Sequence, residues 1–203
     1  RPHDHVLEVF LGDFVDRGPD SAGVIERLLS PGAPGRRRVC LRGNHEETML
    51  HFLEDPTVFA RWAAFGGLEC LASYGVPARL LSPRKADPER VREALLERIP
   101  PSHRAFLAGL PTRHREGDVL FAHAGIRPGV PLEEQTDRDL VWIREPFLGH
   151  PGPFPVRVVH GHTPGERPTL LPHRINVDTG AFATGRLTCA VMEGTGAGFL
   201  STG

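Results

Sequence analysis

Two short stretches constrain this chain more than anything else in it: Gly12-Asp13-Phe14-Val15-Asp16-Arg17-Gly18 and, further on, Leu41-Arg42-Gly43-Asn44-His45-Glu46. Each follows a short β-branched or apolar run, Val6 to Leu11 and Val39 to Leu41. Each therefore reads as a loop at the end of a buried strand, the edge where open α/β sheets bind their ligands. Asp13, Asn44 and His45 offer a carboxylate, an amide oxygen and an imidazole, donors that suit manganese, iron, zinc or cobalt. Arg17 and Arg42 stand in the same loops, and guanidinium forks bind phosphate oxygens in pairs. Together these residues point to metal-assisted phosphoryl chemistry.

With 203 residues, 39% of them hydrophobic and 24% charged, the chain can bury one good core, so a single domain over 1–203 is the expectation. Its 23 glycines and 20 prolines predict many turns without a collagen repeat. A formal charge of −1 argues against nucleic acid or an anionic membrane as the partner. The local run Arg36-Arg37-Arg38 reads as a solvated turn before a strand. Cys40, Cys70 and Cys189 form no C-x-x-C pair, which supports neither a disulfide framework nor a zinc knuckle and points to a reducing, cytoplasmic setting. No apolar run approaches the ~18 residues of a membrane span.

Taken in order, Val6 to Leu11 predicts a strand, Ala22 to Leu29 a short amphipathic helix with Ser21 as its N-cap, and Val39 to Leu41 a second strand. Glu46 to Leu53, Val58 to Ser73, Pro88 to Ile99 and Ser102 to Leu110 carry helical spacing, so the segment from about 46 to 110 reads as a helical cap. Within it Phe59, Trp62, Phe65 and Tyr74 read as a core stripe in preference to a substrate wall. Beyond residue 118 short strands return at Val119 to Ala122, Val156 to Val159, Ile175 to Val177 and Leu187 to Met192, and these are expected to form a second sheet. His123 and His162 each follow one of these strands with a glycine close by, which lets the backbone approach closely.

The motifs GDFVDRG at 12–18, GNHE at 43–46, HAG at 123–125 and HGHTP at 160–164 resemble those of the calcineurin-like metallophosphatases, within them the phosphoprotein phosphatase type. The resemblance implies an α/β fold, a two-sheet β-sandwich flanked by helices. It implies two divalent metal ions, with manganese expected and iron, zinc or cobalt as alternatives. Asp13, Asn44, His123 and His162 match metal ligands, His45 the catalytic acid and Asp16 its hydrogen-bond partner. Arg17, Arg42 and Arg144 match arginines that hold the phosphate, and His160 reads as structural. Attack on phosphorus by a water activated between the metals is the reaction implied.

Members of this family also carry an earlier G-D-x-H-G, whose Asp and His complete the metal centre, and no Asp-Xaa-His occurs here. His3-Asp4-His5 is the nearest approach, in the wrong order and ahead of the first strand. The chain begins Arg1-Pro2-His3, and a preceding strand carrying the missing motif is expected. Three functions fit the residues: a phosphomonoesterase acting on phosphoserine or phosphothreonine in proteins or on small phosphoesters, a dinucleoside tetraphosphate hydrolase, and a non-catalytic phospho-binding module. The first is the leading expectation, and Asp16 and His45 argue against the third, because pure binding needs no leaving-group acid.

Overall fold

The computed structural model describes residues 6–82 and 86–203; His3, Asp4 and His5 lie outside the described residues. The chain divides into two compact units, Arg1–Glu8 with Gly12–Leu110, and Val9–Leu11 with Pro111–Gly203. No helix among the described residues is long and apolar enough to cross a membrane.

In the first unit, β1 (Val6–Phe10) pairs with β2 (Arg36–Cys40) in a two-stranded sheet, and the division between units falls inside β1. The arginines expected in a turn are thus already strand. Their charges have partners: Arg36 pairs with Glu8, and Arg38 Nη1 donates to the carbonyls of Leu28 and Ser30 at 2.9 and 3.1 Å. Those carbonyls end α1 (Ser21–Leu29), where they lack partners within the helix. At its start the N-cap is Asp20, whose side chain accepts from Gly23 N, and not Ser21. Ser21 Oγ instead accepts the backbone N–H of Asp16 at 3.0 Å, so it serves the motif loop.

After β2 the chain is helical: α2 (Asn44–Glu54), α3 (Phe59–Trp62), α4 (Leu68–Ser73), α5 (Pro88–Leu96) and α6 (Pro101–Ala108). Ile25, Met49, Phe52, Phe59, Trp62, Leu71, Leu95 and Leu107 are among the buried residues of this unit's core. The helix expected over Val58 to Ser73 is interrupted by a π turn, Ala63–Gly67, in which Gly66 has φ +102°. The break has a cause in the motif loop. Arg17 N donates to Gly66 O at 2.9 Å, and a Cβ on Gly66 would stand 2.5 Å from Arg17 Cγ.

Glu46 ties the two motifs together. It lies at the third position of α2 and is fully buried, and its carboxylate accepts four backbone N–H groups: Gly43 at 2.7 Å, Asp13 at 2.9 Å, Phe14 at 2.6 Å and Val15 at 3.2 Å. The bond to Gly43 is the half of a capping box that a glycine N-cap permits. The approach is so close that a Cβ on Gly12 would stand 2.5 Å from Gly43 N, which only glycine tolerates.

The second unit holds a five-stranded mixed sheet in the order β3 (Arg113–Glu116), β4 (Val119–Ala122), β5 (Arg157–His160), β7 (Arg174–Asn176), β6 (Thr169–Leu170). Its three inner strands run parallel, so their C-terminal ends share one edge. His123 follows β4 and His162 follows β5 at that edge. The strand expected at Leu187 to Met192 does not join this sheet. It forms β8 (Thr188–Glu193) and hairpins with β9 (Gly196–Ser201), because Gly194, at φ +56°, opens a two-residue turn. Beside the sheet, α7 (Asp137–Trp142) holds the loop after His123: Ala124 N donates to Leu140 O at 2.8 Å, and Arg127 binds Asp139 through Nε and Nη2 at 2.9 and 2.5 Å.

Glu46→Gln leaves one acceptor oxygen and sets an amide N–H₂ against backbone donors. It is expected to destabilise the fold by about 1–3 kcal/mol, and Glu46→Ala by more, in urea unfolding followed by circular dichroism. A change within error of zero would show that these bonds do not hold the loops.

The hydrogen bond from Arg127, more than the opposing effect of desolvation, holds Asp139 below the usual carboxylate range. Its contribution is therefore present above the unfolded carboxylate pKa and is lost as pH falls through the lowered folded value. Wild-type protein should have a higher Tm than Asp139→Asn near neutral pH, and the gap should close in acid. A gap independent of pH would refute the ion pair as its source.

Candidate active site

In the first unit the side chains of Asp16, His45 and Trp62 form a closed set. His45 Nδ1 lies 2.6 Å from Asp16 Oδ2, and Trp62 Nε1 donates to both Asp16 oxygens at 3.0 Å. All three are buried, with Trp62 at 0% exposure. Burial raises the Asp16 carboxyl above its ordinary range, against the lowering effect of His45 and Trp62. Burial lowers the His45 imidazole, but the hydrogen bond to Asp16 and the charges of Asp13 and Asp16 more than reverse this and leave its pKa raised. The two groups thus share one short hydrogen bond that holds the ring against the carboxylate. The second ring nitrogen, Nε2, lies 4.0 Å from Asp13 Oδ2. Such an imidazole is oriented and kept in its protonated form, as a proton donor to a reacting atom needs.

Asp13 accepts the backbone N–H of His45 at 3.3 Å, and Asn44, buried, opens α2 beside it. Three residues of this loop, Asp13, Asp16 and Arg17, have left-handed backbone at φ 58°, 74° and 60°. Non-glycine residues in that region cluster at functional sites, where surrounding contacts hold them against the strain. The exposed Arg17 bonds through Nε to Phe65 O at 3.3 Å, and Arg42 through Nη2 to Ala108 O at 2.9 Å.

In the second unit His123 and His162 are brought together as their strand ends require. Both are buried, their rings stand edge to face with centroids 5.0 Å apart, and His123 Nε2 lies 3.2 Å from His162 Nδ1. His123 Nδ1 donates to Leu11 O at 2.7 Å, which turns its Nε2 lone pair toward the partner ring. A metal-ligating imidazole characteristically gives its other N–H to a backbone carbonyl in this way. His162 also occupies left-handed backbone, at φ 65°.

His160 has a different place. It is fully buried against Phe147, accepts from Arg174 Nη1 at 3.3 Å, and burial pushes its pKa down to about 3, which favours the neutral ring. Arg144 is exposed beyond the end of α7, and the neighbouring Trp142 ring stands 6.2 Å from that of His162. Two residues with a clear local task carry no role in the sequence reading. Glu46 stood inside GNHE without one, and Trp62 was read as core alone; its indole is core, but its N–H is spent on Asp16.

Comparison with known proteins bears on the reaction. The asymmetrical bis(5'-nucleosyl)-tetraphosphatase PrpE of Anoxybacillus flavithermus is 27% identical over 88% of this chain and 72% of its own length. Those of Bacillus velezensis and Bacillus subtilis are 30% and 29% identical over 89% of the chain, with 72% and 73% of their own lengths covered. A solved structure described as a candidate diadenosine tetraphosphatase superposes with a TM-score of 0.66 at 22% identity, covering 95% of this chain and 79% of that one, which supports the fold. These relatives overturn the expectation of a serine/threonine protein phosphatase with a phosphoprotein substrate. The reason is chemical: the resemblance carried by GDFVDRG and GNHE speaks for a phosphoryl group, which phosphoproteins and dinucleoside polyphosphates share, and not for what is attached to it. A family model described as calcineurin-like phosphoesterase matches residues 1–187. This chain therefore belongs to the calcineurin-like phosphoesterases.

Proposed function

We propose that the chain hydrolyses dinucleoside tetraphosphates asymmetrically, dividing four phosphates into a nucleoside triphosphate and a nucleoside monophosphate. The observation that carries this reading is the similarity to the PrpE tetraphosphatases along almost nine-tenths of the chain. Calcineurin-like phosphoesterases use a dinuclear divalent metal centre. The carboxylate, amide and imidazoles of Asp13, Asn44, His123 and His162 are donors of the right chemistry for it, and the carbonyl-held tautomer of His123 supports the assignment. Manganese as the metal and a cytoplasmic setting belong to the same proposal. When bound, divalent metals there supply an activated water and offset the charge of the phosphoryl oxygens.

The remaining roles fall to the chain itself. Arg17, Arg42 and Arg144 bind and orient phosphate oxygens. His45 gives a proton from Nε2 to the departing oxygen, and Asp16 fixes its ring through Nδ1. Trp62 keeps the Asp16 carboxylate facing the imidazole. A departing polyphosphate is far less basic than an alkoxide, so the acid contributes less here than it would for a phosphoserine.

Incubation of diadenosine tetraphosphate with the protein and manganese, followed by chromatography, is expected to yield ATP and AMP in equal amounts. Two equivalents of ADP, or no cleavage beside rapid phosphopeptide hydrolysis, would overturn the proposal.

Asp16→Asn is expected to lower kcat on diadenosine tetraphosphate by about 10- to 100-fold and on an alkyl phosphomonoester by more. An equal loss on both substrates would show that Asp16 does not act through protonation of the leaving group.

A further inference from the structure

The π turn Ala63–Gly67 touches both halves of the phosphoryl machinery in the first unit. Of the four aromatic residues in this region, Phe59, Trp62 and Tyr74 are buried in the core, whereas Phe65 is only half-buried. Its ring meets the His45 imidazole nearly edge to face, with centroids 6.0 Å apart and planes at 69°. The Arg61 guanidinium stands 5.9 Å above that ring. On the backbone side, the carbonyls of Phe65 and Gly66 take Nε and N of Arg17 at 3.3 and 2.9 Å. Breaks of this kind in a helix occur often at functional sites.

We propose that this turn reads the leaving half of the substrate, with the Phe65 ring receiving the face of its nucleobase. The inference rests on the tetraphosphatase reading. The departing oxygen takes its proton from His45, so the phosphate that carries that oxygen, with the nucleoside beyond it, leaves from the His45 side, where the Phe65 ring stands. Stacking of a base on an aromatic ring tolerates any base, and the Arg61 guanidinium beside the same ring adds a cation to the stacking site. Gly66 gives the turn the left-handed residue it needs and so holds Phe65 and Arg17 in register.

The test is equilibrium binding, by calorimetry with manganese present, of two pairs of probes: ATP against inorganic tripolyphosphate, and AMP against orthophosphate. Wild-type protein should prefer the nucleotide in at least one pair by about tenfold. Phe65→Ala should abolish that preference while leaving tripolyphosphate affinity unchanged, and Phe65→Tyr should retain it. Unchanged tripolyphosphate affinity also reports that the variant is folded. No preference in the wild type, a preference that survives Phe65→Ala, or equal weakening of nucleotide and tripolyphosphate would each overturn the proposal; the last would make Phe65 a mere support for His45. Failure of the reaction itself is distinguishable. If Phe65→Ala abolishes the preference but wild-type protein does not cleave diadenosine tetraphosphate, the nucleotide contact stands and the tetraphosphatase reading falls.

Discussion

The arrangement of the first unit depends on one buried anion. The Glu46 carboxylate has no access to water, and an ionised carboxylate in that position is tolerable only if hydrogen bonds replace its hydration. Four backbone N–H groups do so, three from the loop after β1 and one from the N-cap of α2. Neither motif can reach its shape without the other, because each supplies what the other lacks. The paired glycines follow from this, since the donors reach one carboxylate only if the two backbones run within contact distance.

That wrapping also explains the strain. Asp13, Asp16 and Arg17 take left-handed backbone in a loop whose N–H groups must reach Glu46, Ser21 and Gly66 within a few residues. Asp16 is held on four sides: Ser21 takes its N–H, Gly18 donates to its carbonyl, and His45 and Trp62 bind its carboxylate. Strain of this kind persists when such contacts over-determine the geometry, and the result here is an imidazole, His45, whose orientation is fixed by Asp16.

Much of this was legible in the sequence, and the exceptions have physical causes. Strands at Val6, Val119 and Val156, and the helix after Asn44, announced themselves through apolar runs ending at motif loops. The extent of β2 was hidden because Arg36 and Arg38 look like solvated charges until Glu8 and the end of α1 are seen to pair them. The break at Gly66 was hidden because helical spacing continues through it, and only the distant Arg17 reveals why the chain departs from it. The roles of Glu46 and Trp62 depend on partners 33 and 46 residues away, beyond the reach of any local pattern. Substrate class was misread for a further reason: the residues that stand out in the sequence act on phosphorus, and phosphorus is common to every candidate substrate.

What separates one phosphoester from another is the group that departs, so specificity belongs on the side of the acid. In the first unit that side is served by one short stretch. Trp62 and Phe65, three positions apart, share a helical face. Trp62 turns inward to the carboxylate that orients His45, and Phe65 stands against the imidazole itself. A continuous α-helix through Gly66 would lack the left-handed residue whose carbonyl receives the Arg17 N–H. Interrupting the helix at that point couples the hydrogen bonds that orient His45, the backbone that holds Arg17 and the placement of the Phe65 ring. A change in this turn therefore alters all three together.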